Sequence, residues 1–465
     1  MSTEAAAGFP ANRRFFLKWQ TLIVVVAGAA ALLAPAIWNG YPLLQYDTGG
    51  YLARWYEGYL VPSRSTTFGL YLHFGEGMHF WPQLVLQAAC TLWIISLVLR
   101  VTGLGSRPRL FVLIVGALAL TTSLPFLTTL LLTDIFSGAS VLAIYLLSFH
   151  RHALGRLEQG GLLLLIAFSA ASHSATLAVL MAVAMFSAFL LLVRGLYDWR
   201  SLSYSAAGIA AGAAMLLITN FAFSGQLAWT PGGYGILFGR MLQDGIVKRY
   251  LDDHCPAAGL KLCPYRDQLP ATADDFLWNS GIFDDLGRFT GLGEEMREIV
   301  LHSLREYPRE QLETALVATA EQLRQVGSGY GIHNEIWHTY GIVKRFIPDE
   351  VSAMSRARQQ RGEFGFEQIN RLHVPIAWGS MMLALVLAVG APFSRRLNSI
   401  SMLAATVVIA LLANAFVCGA LSGPHDRYGA RMVWIATLLV GMALALAVRA
   451  KGELRERPQS VSPPV

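Results

Sequence analysis

Long apolar runs separated by short polar breaks dominate this chain. A helix that crosses a bilayer needs about 20 predominantly apolar residues, and the hydropathy pattern predicts about ten such segments. They run over 19–38, 81–99, 110–124, 130–149, 160–193, 204–223, 372–392, 399–421 and 432–448. Ser172-His173-Ser174 interrupts the stretch 160–193, which therefore reads as two short helices meeting at a break. Two polar regions stand apart: a first loop at 39–80 and a long hydrophilic region at 224–371. Within the second, 234–251, 294–305 and 309–326 carry helical spacing, and Pro308 sits where a helix can start. The expected fold class is all-α: a polytopic membrane protein of about ten transmembrane helices with a small, mainly helical domain outside the bilayer. Its expected parts are 1–223, including the first loop; 224–371; 372–449; and a short tail at 450–465.

Composition agrees. Of 465 residues, 54% are hydrophobic and 14% charged, against about 25% charged in soluble domains. The net charge of +6 does not point to nucleic acid, because the basic residues sit at helix ends. Arg13, Arg14 and Lys18 precede an apolar run too long for a cleavable leader and without a small-x-small site, which predicts a signal anchor. With the N-terminus in the cytoplasm, the short inside connections hold Arg100, Arg107 and Arg109; Arg151 and Arg156; Arg194 and Arg200; and Arg395 and Arg396. The tail adds Arg449, Lys451, Arg455 and Arg457. This is the positive-inside pattern. It requires two helices within 160–193, so that seven spans precede the long region and place it outside.

Cys90 and Cys418 fall in apolar spans and read as packing residues. Cys255 and Cys263 lie in the long hydrophilic region; they pair if it faces an oxidising compartment and stay thiols otherwise.

The chemistry gathers at one side. Asp47 follows the first span almost directly, between Tyr46 and Tyr51 and beside Gly49-Gly50. A carboxylate in a membrane helix costs about 2.5–3.5 kcal/mol at the centre and less towards the edge, so a compensating role is the default suspicion. The plain alternative is a turn after Asn39-Gly40. Asp134 starts the fourth span, where it can instead be a helix cap. His173 sits at the break, and can equally be a satisfied histidine there. Arg240 and Asp244 follow the seventh span, and His425, Asp426, Arg427, Tyr428 and Arg431 separate the last two. Arg427 and Arg431 run against the charge bias and suit an anionic partner, unless they snorkel to lipid headgroups. Trp38, Tyr41, Trp55 and Trp81 read as an interfacial belt. Asp274-Asp275 and Asp284-Asp285 read as solvated loop acids rather than metal ligands.

The order of three of these elements resembles the GT-C class of integral-membrane glycosyltransferases, which includes the protein O-mannosyltransferases and the bacterial lipid A aminoarabinose transferases. The likeness is carried by Tyr46-Asp47-Thr48-Gly49-Gly50-Tyr51 after the first span, by Thr133-Asp134-Ile135-Phe136 at the fourth, and by the broken pair around Ser172-His173-Ser174. It runs over the first seven spans and more loosely to the end. With the orientation set by the charge pattern, the expected protein is a bacterial inner-membrane enzyme with both termini cytoplasmic and 224–371 periplasmic. The resemblance implies transfer of a sugar from a polyprenyl-phosphate donor to a lipid, glycan or protein acceptor, with inversion. In that reading Asp47 is the general base and Asp134 an acceptor-orienting carboxylate. The same two carboxylates hold any divalent cation, magnesium or manganese. Arg427, Arg431 or Arg240 contact the phosphate, and Tyr46, Tyr51, His173, Asp244 and Tyr428 complete the substrate-binding set. The alternative is a flippase for a lipid-linked sugar, which needs the same lipid contacts without chemistry.

Overall fold

A computed structural model describes residues 11–57, 62–105, 107–193, 195, 198–225, 227–257, 259–390 and 398–455. Arg194, Arg395, Arg396 and Arg457 lie outside the described residues, as do the side chains of Arg13, Arg14, Lys18 and Arg455. The described chain is all-helical, with one isolated bridge between Leu43 and Leu130. The helices up to the first hydrophilic loop and beyond are α1 (Ala11–Asn39), α2 (Tyr46–Tyr56), α3 (Thr66–His73), α4 (Trp81–Val101), α5 (Pro108–Thr121), α6 (Leu124–Thr129) and α7 (Asp134–His150). Next come α8 (Arg156–Ser172), α9 (Ser174–Val193) and α10 (Trp199–Ser224). The long hydrophilic region holds α11 (Gly233–Gln243), α12 (Ile246–His254), α13 (Ala273–Asn279), α14 (Gly281–Asp285), α15 (Arg288–Glu306), α16 (Pro308–Arg324), α17 (Trp337–Phe346) and α18 (Val351–Arg356). The last three are α19 (Phe366–Gly390), α20 (Asn398–Leu421) and α21 (Asp426–Arg455).

Seven of these are long and apolar enough to cross a membrane: α1, α4, α9, α10, α19, α20 and α21. This is the signature of a multi-pass membrane protein. The other three sequence-predicted spans are shorter, α5 with 14 residues and α7 and α8 with 17 each. At 1.5 Å per residue, 17 residues reach about 25 Å, less than the ~30 Å hydrocarbon layer. In α7 the shortness goes with position, since every residue from Asp134 to Ser148 is buried.

Cross-helix contacts sort the helix ends into two sets, designated upper and lower. At the lower end Arg100 clamps Glu158 through two 2.7 Å bonds, Arg151 meets Asp198 at 3.4 Å, and Arg449 donates to the Gly103 carbonyl at 3.2 Å. At the upper end Ser65 donates to the Ser172 carbonyl and Ser123 to that of Ala430, both at 2.7 Å. The broken pair fits this scheme. Gly208 of α10 faces Leu163 and Ile166 of α8, and Gly212 faces Ala167 and Ala170. The two residue numbers rise together, so α8 and α10 are parallel, and α9 is the return pass between them. The turn-over is made by His173 alone, in extended conformation (φ −156°, ψ 120°).

The region 224–371 divides by core. Residues from Phe238 to Tyr307 enclose a separate apolar core, with the Cys255–Cys263 disulfide at its margin. Helix α16 instead packs along α20, where Gly419 meets the Ala318 carbonyl. The stretch containing Ile332, Ile336, Val343 and Met354 joins the main membrane-domain core. There α17 lies on α2. Gly49 packs so closely that an added Cβ would come within 2.7 Å of the Thr339 Cα, while Gly49 N–H donates to Thr339 Oγ1 at 3.0 Å. Gly49→Ala is therefore expected to cost about 1–3 kcal/mol by overpacking. Thermal unfolding of the purified variant checks this; an unchanged midpoint would contradict the contact.

Candidate functional site

The upper end of the bundle is built around two helix N-termini held side by side. Leu43 N–H donates to the Thr129 carbonyl at 2.9 Å, and Leu131 N–H to the Leu43 carbonyl at 3.1 Å. This bridge fastens the entry to α2 beside the entry to α7. Gln45 caps α2: its side chain accepts from Asp47 N–H at 3.0 Å, and Thr48 Oγ1 accepts from Gln45 N–H at 3.1 Å. Asp47 thus falls in the first turn of α2 and Asp134 opens α7, where the positive ends of the helix dipoles favour a carboxylate. Thr133 makes no side-chain cap. Asp134, 1% exposed, is turned to a cation instead.

That cation is Arg427, at the start of α21. Its Nε donates to Asp134 Oδ2 at 2.8 Å, and its Nη1 binds Asp47 Oδ2. One guanidinium therefore joins both carboxylates across 293 residues of sequence in one case and 380 in the other. A cation at a helix N-terminus opposes the dipole, so Arg427 is held there by its acids and by the packing of the turn. Asp426 Oδ1 accepts from Gly327 N–H at 2.7 Å. Gly429 admits the Gln325 carbonyl so closely that any Cβ there would collide with it. One turn along α21, Arg431 is fully buried, bound to Asn414 Oδ1 at 2.7 and 3.0 Å and lying 3.7 Å from Asp134 Oδ1. Neither arginine snorkels, since Arg427 is 8% exposed and Arg431 0%. The Tyr428 ring lies 5.8 and 5.4 Å from the two guanidinium carbons, within cation–π range.

A third arginine completes the cluster and was not among the sequence candidates. Arg64, in the first loop, binds Asp47 Oδ1, donates to the Ser63 carbonyl at 3.1 Å and lies 5.6 Å over the Tyr51 ring. It also lines a narrow cleft of about 10 Å³ with His173, Ser63, Ser174, Asn220 and Trp229, about the space of one water. Of these lining residues, His173 and Ser63 each bury a polar atom, Nδ1 and Oγ, that has no hydrogen-bond partner. Its signal in the sequence was the one that exposed Arg427 and Arg431: a basic residue in a loop on the side poor in them.

Other candidates lie elsewhere. Arg240 turns back on Asp244, with Nε donating to Oδ2 at 3.0 Å, as an i,i+4 pair within α11 and its following turn. Neither residue is ion-paired with the Asp47 cluster. Tyr46 is 44% exposed and reaches the Glu335 carbonyl at 3.4 Å and the His333 ring at 5.0 Å. Tyr51 is buried beneath Arg64 and against Phe68. His425 faces Asp274 at 3.8 Å.

The donor set does not fit a divalent metal. A cation shared by Asp47 and Asp134 would stand where the Arg427 guanidinium stands, beside Arg64 and Arg431. Among the described residues no other group of histidine, cysteine and carboxylate side chains is gathered as a metal site. The guanidinium fills the bridging role that a magnesium or manganese ion would have between the two carboxylates.

Burial alone would push the Asp47 carboxyl up, but Arg64 and then Arg427 outweigh it and hold the group at about 2. A carboxyl lowered on folding contributes stability above its ordinary value near 4, and loses it as pH falls from about 4 to about 2. That contribution is about 2 kcal/mol as an upper bound. The wild type is therefore expected to lose more stability than Asp47→Asn between pH 5 and pH 3. Unfolding midpoints of both proteins across that range test this, and equal pH slopes would refute it.

Compared with known proteins, the chain matches no family model, no curated protein and no solved structure.

Proposed function

We propose that this chain is an inverting GT-C-type membrane glycosyltransferase. It moves a sugar from a polyprenyl-phosphate donor to a hydroxyl of a lipid, glycan or protein acceptor at the periplasmic face of a bacterial inner membrane. The carrying observation is the junction of Asp47 and Asp134 through Arg427, beside a cleft that Arg64 and His173 also reach. Asp47, one-fifth exposed, takes the proton that the acceptor hydroxyl loses as it attacks the anomeric carbon. A positioned general base contributes about 10²–10⁴-fold. The departing lipid phosphate gains charge in the transition state, and preorganised cations stabilise that charge best in a water-poor site. Base and leaving group on opposite sides of the sugar ring give inversion. Asp134 fixes Arg427 and, through it, the carboxylate of Asp47.

A flippase would place its binding groups midway between two related halves. Here the charged cluster lies at one end of the bundle, and no observation favours transport over chemistry. Mass spectrometry of envelope glycolipids and polysaccharides from cells with and without the gene tests the proposal. One hexose, pentose or aminosugar should be missing from a single product class. An unchanged glycan profile would overturn it.

A further inference from the structure

The cluster is unbalanced. Three guanidinium groups, of Arg64, Arg427 and Arg431, face two carboxylates, of Asp47 and Asp134. Among the described residues no further carboxylate lies within ion-pair distance of these arginines. One positive charge is left over in largely buried surroundings, where an uncompensated ion costs several kcal/mol. The three arginines are not equivalent. Arg427 and Arg431 are enclosed by α7, α20 and α21, and Arg427 is committed to Asp134. Arg64 is the most exposed of them, has Asp47 as its sole acidic partner, and stands on the wall of the cleft. Ser63 and His173 line the same cleft, and Ser63 Oγ and His173 Nδ1 are buried without hydrogen-bond partners. A hydroxyl and a planar guanidinium from the first loop and an imidazole from the α8–α9 break suit a phosphoryl group, whose oxygens accept several hydrogen bonds at once.

We propose that Arg64 is a positioning residue shared between two anions, Asp47 and a phosphoryl group in the adjoining cleft, and that the second draws it from the first. The consequence for catalysis rests on the reading of Asp47 as the base. Flanked by both arginines, Asp47 is a weak proton acceptor, consistent with its lowered carboxyl. Left with Arg427, it is a stronger one. The donor phosphate thus readies the base for the acceptor, and Asp47 is not basic before the donor is seated. The charged and titratable groups around this carboxylate are Arg64 from the first loop, Arg427 and Tyr428 from α21, His425 just before α21, His173 from the α8–α9 break, Tyr51 from α2, and Tyr330 and His338 from the segment over α2. Of these, only Arg64 both binds Asp47 and lines the cleft.

The exchange is readable without any sugar transfer. A hydrophobic carbodiimide modifies protonated carboxyls, so its rate at Asp47, followed by peptide mass spectrometry of the full-length protein in detergent, reports whether Arg64 holds the group ionised. Adding a polyprenyl phosphate is expected to raise that rate about tenfold or more, because losing one flanking cation raises a carboxyl by one unit or more. If inorganic phosphate does the same, the headgroup alone suffices; if only the lipid does, the prenyl chain is needed. Both outcomes support the exchange. Arg64→Gln should label fast from the start and gain little from either ligand. Arg64→Lys, which keeps the charge but not the fork, should label slowly and respond weakly. Wild-type labelling unaffected by both ligands overturns the proposal, and needs no variant to fold. So does slow labelling of a folded Arg64→Gln protein. A protein that shows the exchange yet transfers no sugar would retain this inference and lose the glycosyltransferase reading. One that transfers sugar with ligand-independent labelling would do the reverse.

Discussion

Replacing Arg427 by methionine is expected to cost the folded protein about 3–5 kcal/mol, the range for removing one partner of a buried ion pair. Among the described residues Arg427 is the one whose side chain touches both carboxylates. Without it Asp134, 1% exposed, has only Arg431 at 3.7 Å, beyond hydrogen-bonding distance. Methionine fills much of the space, so the loss is electrostatic and not a cavity effect. The control follows from the same reasoning. Adding Asp134→Asn to the Arg427→Met protein removes the stranded charge and should recover a large part of the loss, as residues in one network do not add independently. Unfolding midpoints, or the monodisperse fraction after heating in detergent, measure both. A single variant within 0.5 kcal/mol of wild type would mean that Arg427 does not hold the upper end together.

If the proposed glycosyltransferase reading holds, Asp47→Asn lowers sugar transfer by about 10²–10⁴-fold, the usual contribution of a positioned base. The amide keeps the size and the cap of α2, since the Gln45 bond goes to the backbone N–H of Asp47 and not to its side chain. The stability loss is expected to stay at or below about 2 kcal/mol. Activity is therefore to be compared at equal folded protein in membranes, with the donor saturating. Retention of activity within fivefold would remove Asp47 as the base and leave it as a counter-ion for Arg64 and Arg427.

The helices were legible because hydrophobic segments of this length have one stable form in lipid. Asp47, Asp134, Arg427 and Arg431 were legible as violations of that pattern, charges at places that only a partner makes tolerable. Which partner was not legible. Arg427 finds Asp47 and Asp134 through helix packing, with no local signal. The Arg240–Asp244 spacing of four residues is itself a local pairing pattern, and it was overridden by grouping residues by side alone. Arg64 stands among the aromatics and glycines of a polar loop, where one basic residue does not stand out. The split of 224–371 was hidden for a related reason. Hydrophilic composition does not reveal that residues such as Ile336 and Val343 reach into the core beneath α2.

The bond between Arg427 and the two acids also dictates an order of events in biosynthesis. A ribosome delivers Asp47 and Asp134 to the membrane long before it has made the last helix. Until α21 is inserted, each nascent chain carries two acids whose bridging counter-ion has not yet been synthesised. The final transmembrane segment therefore acts as a closing clasp, and a chain truncated after α20 would retain most of its helices while lacking the element that joins them at the site.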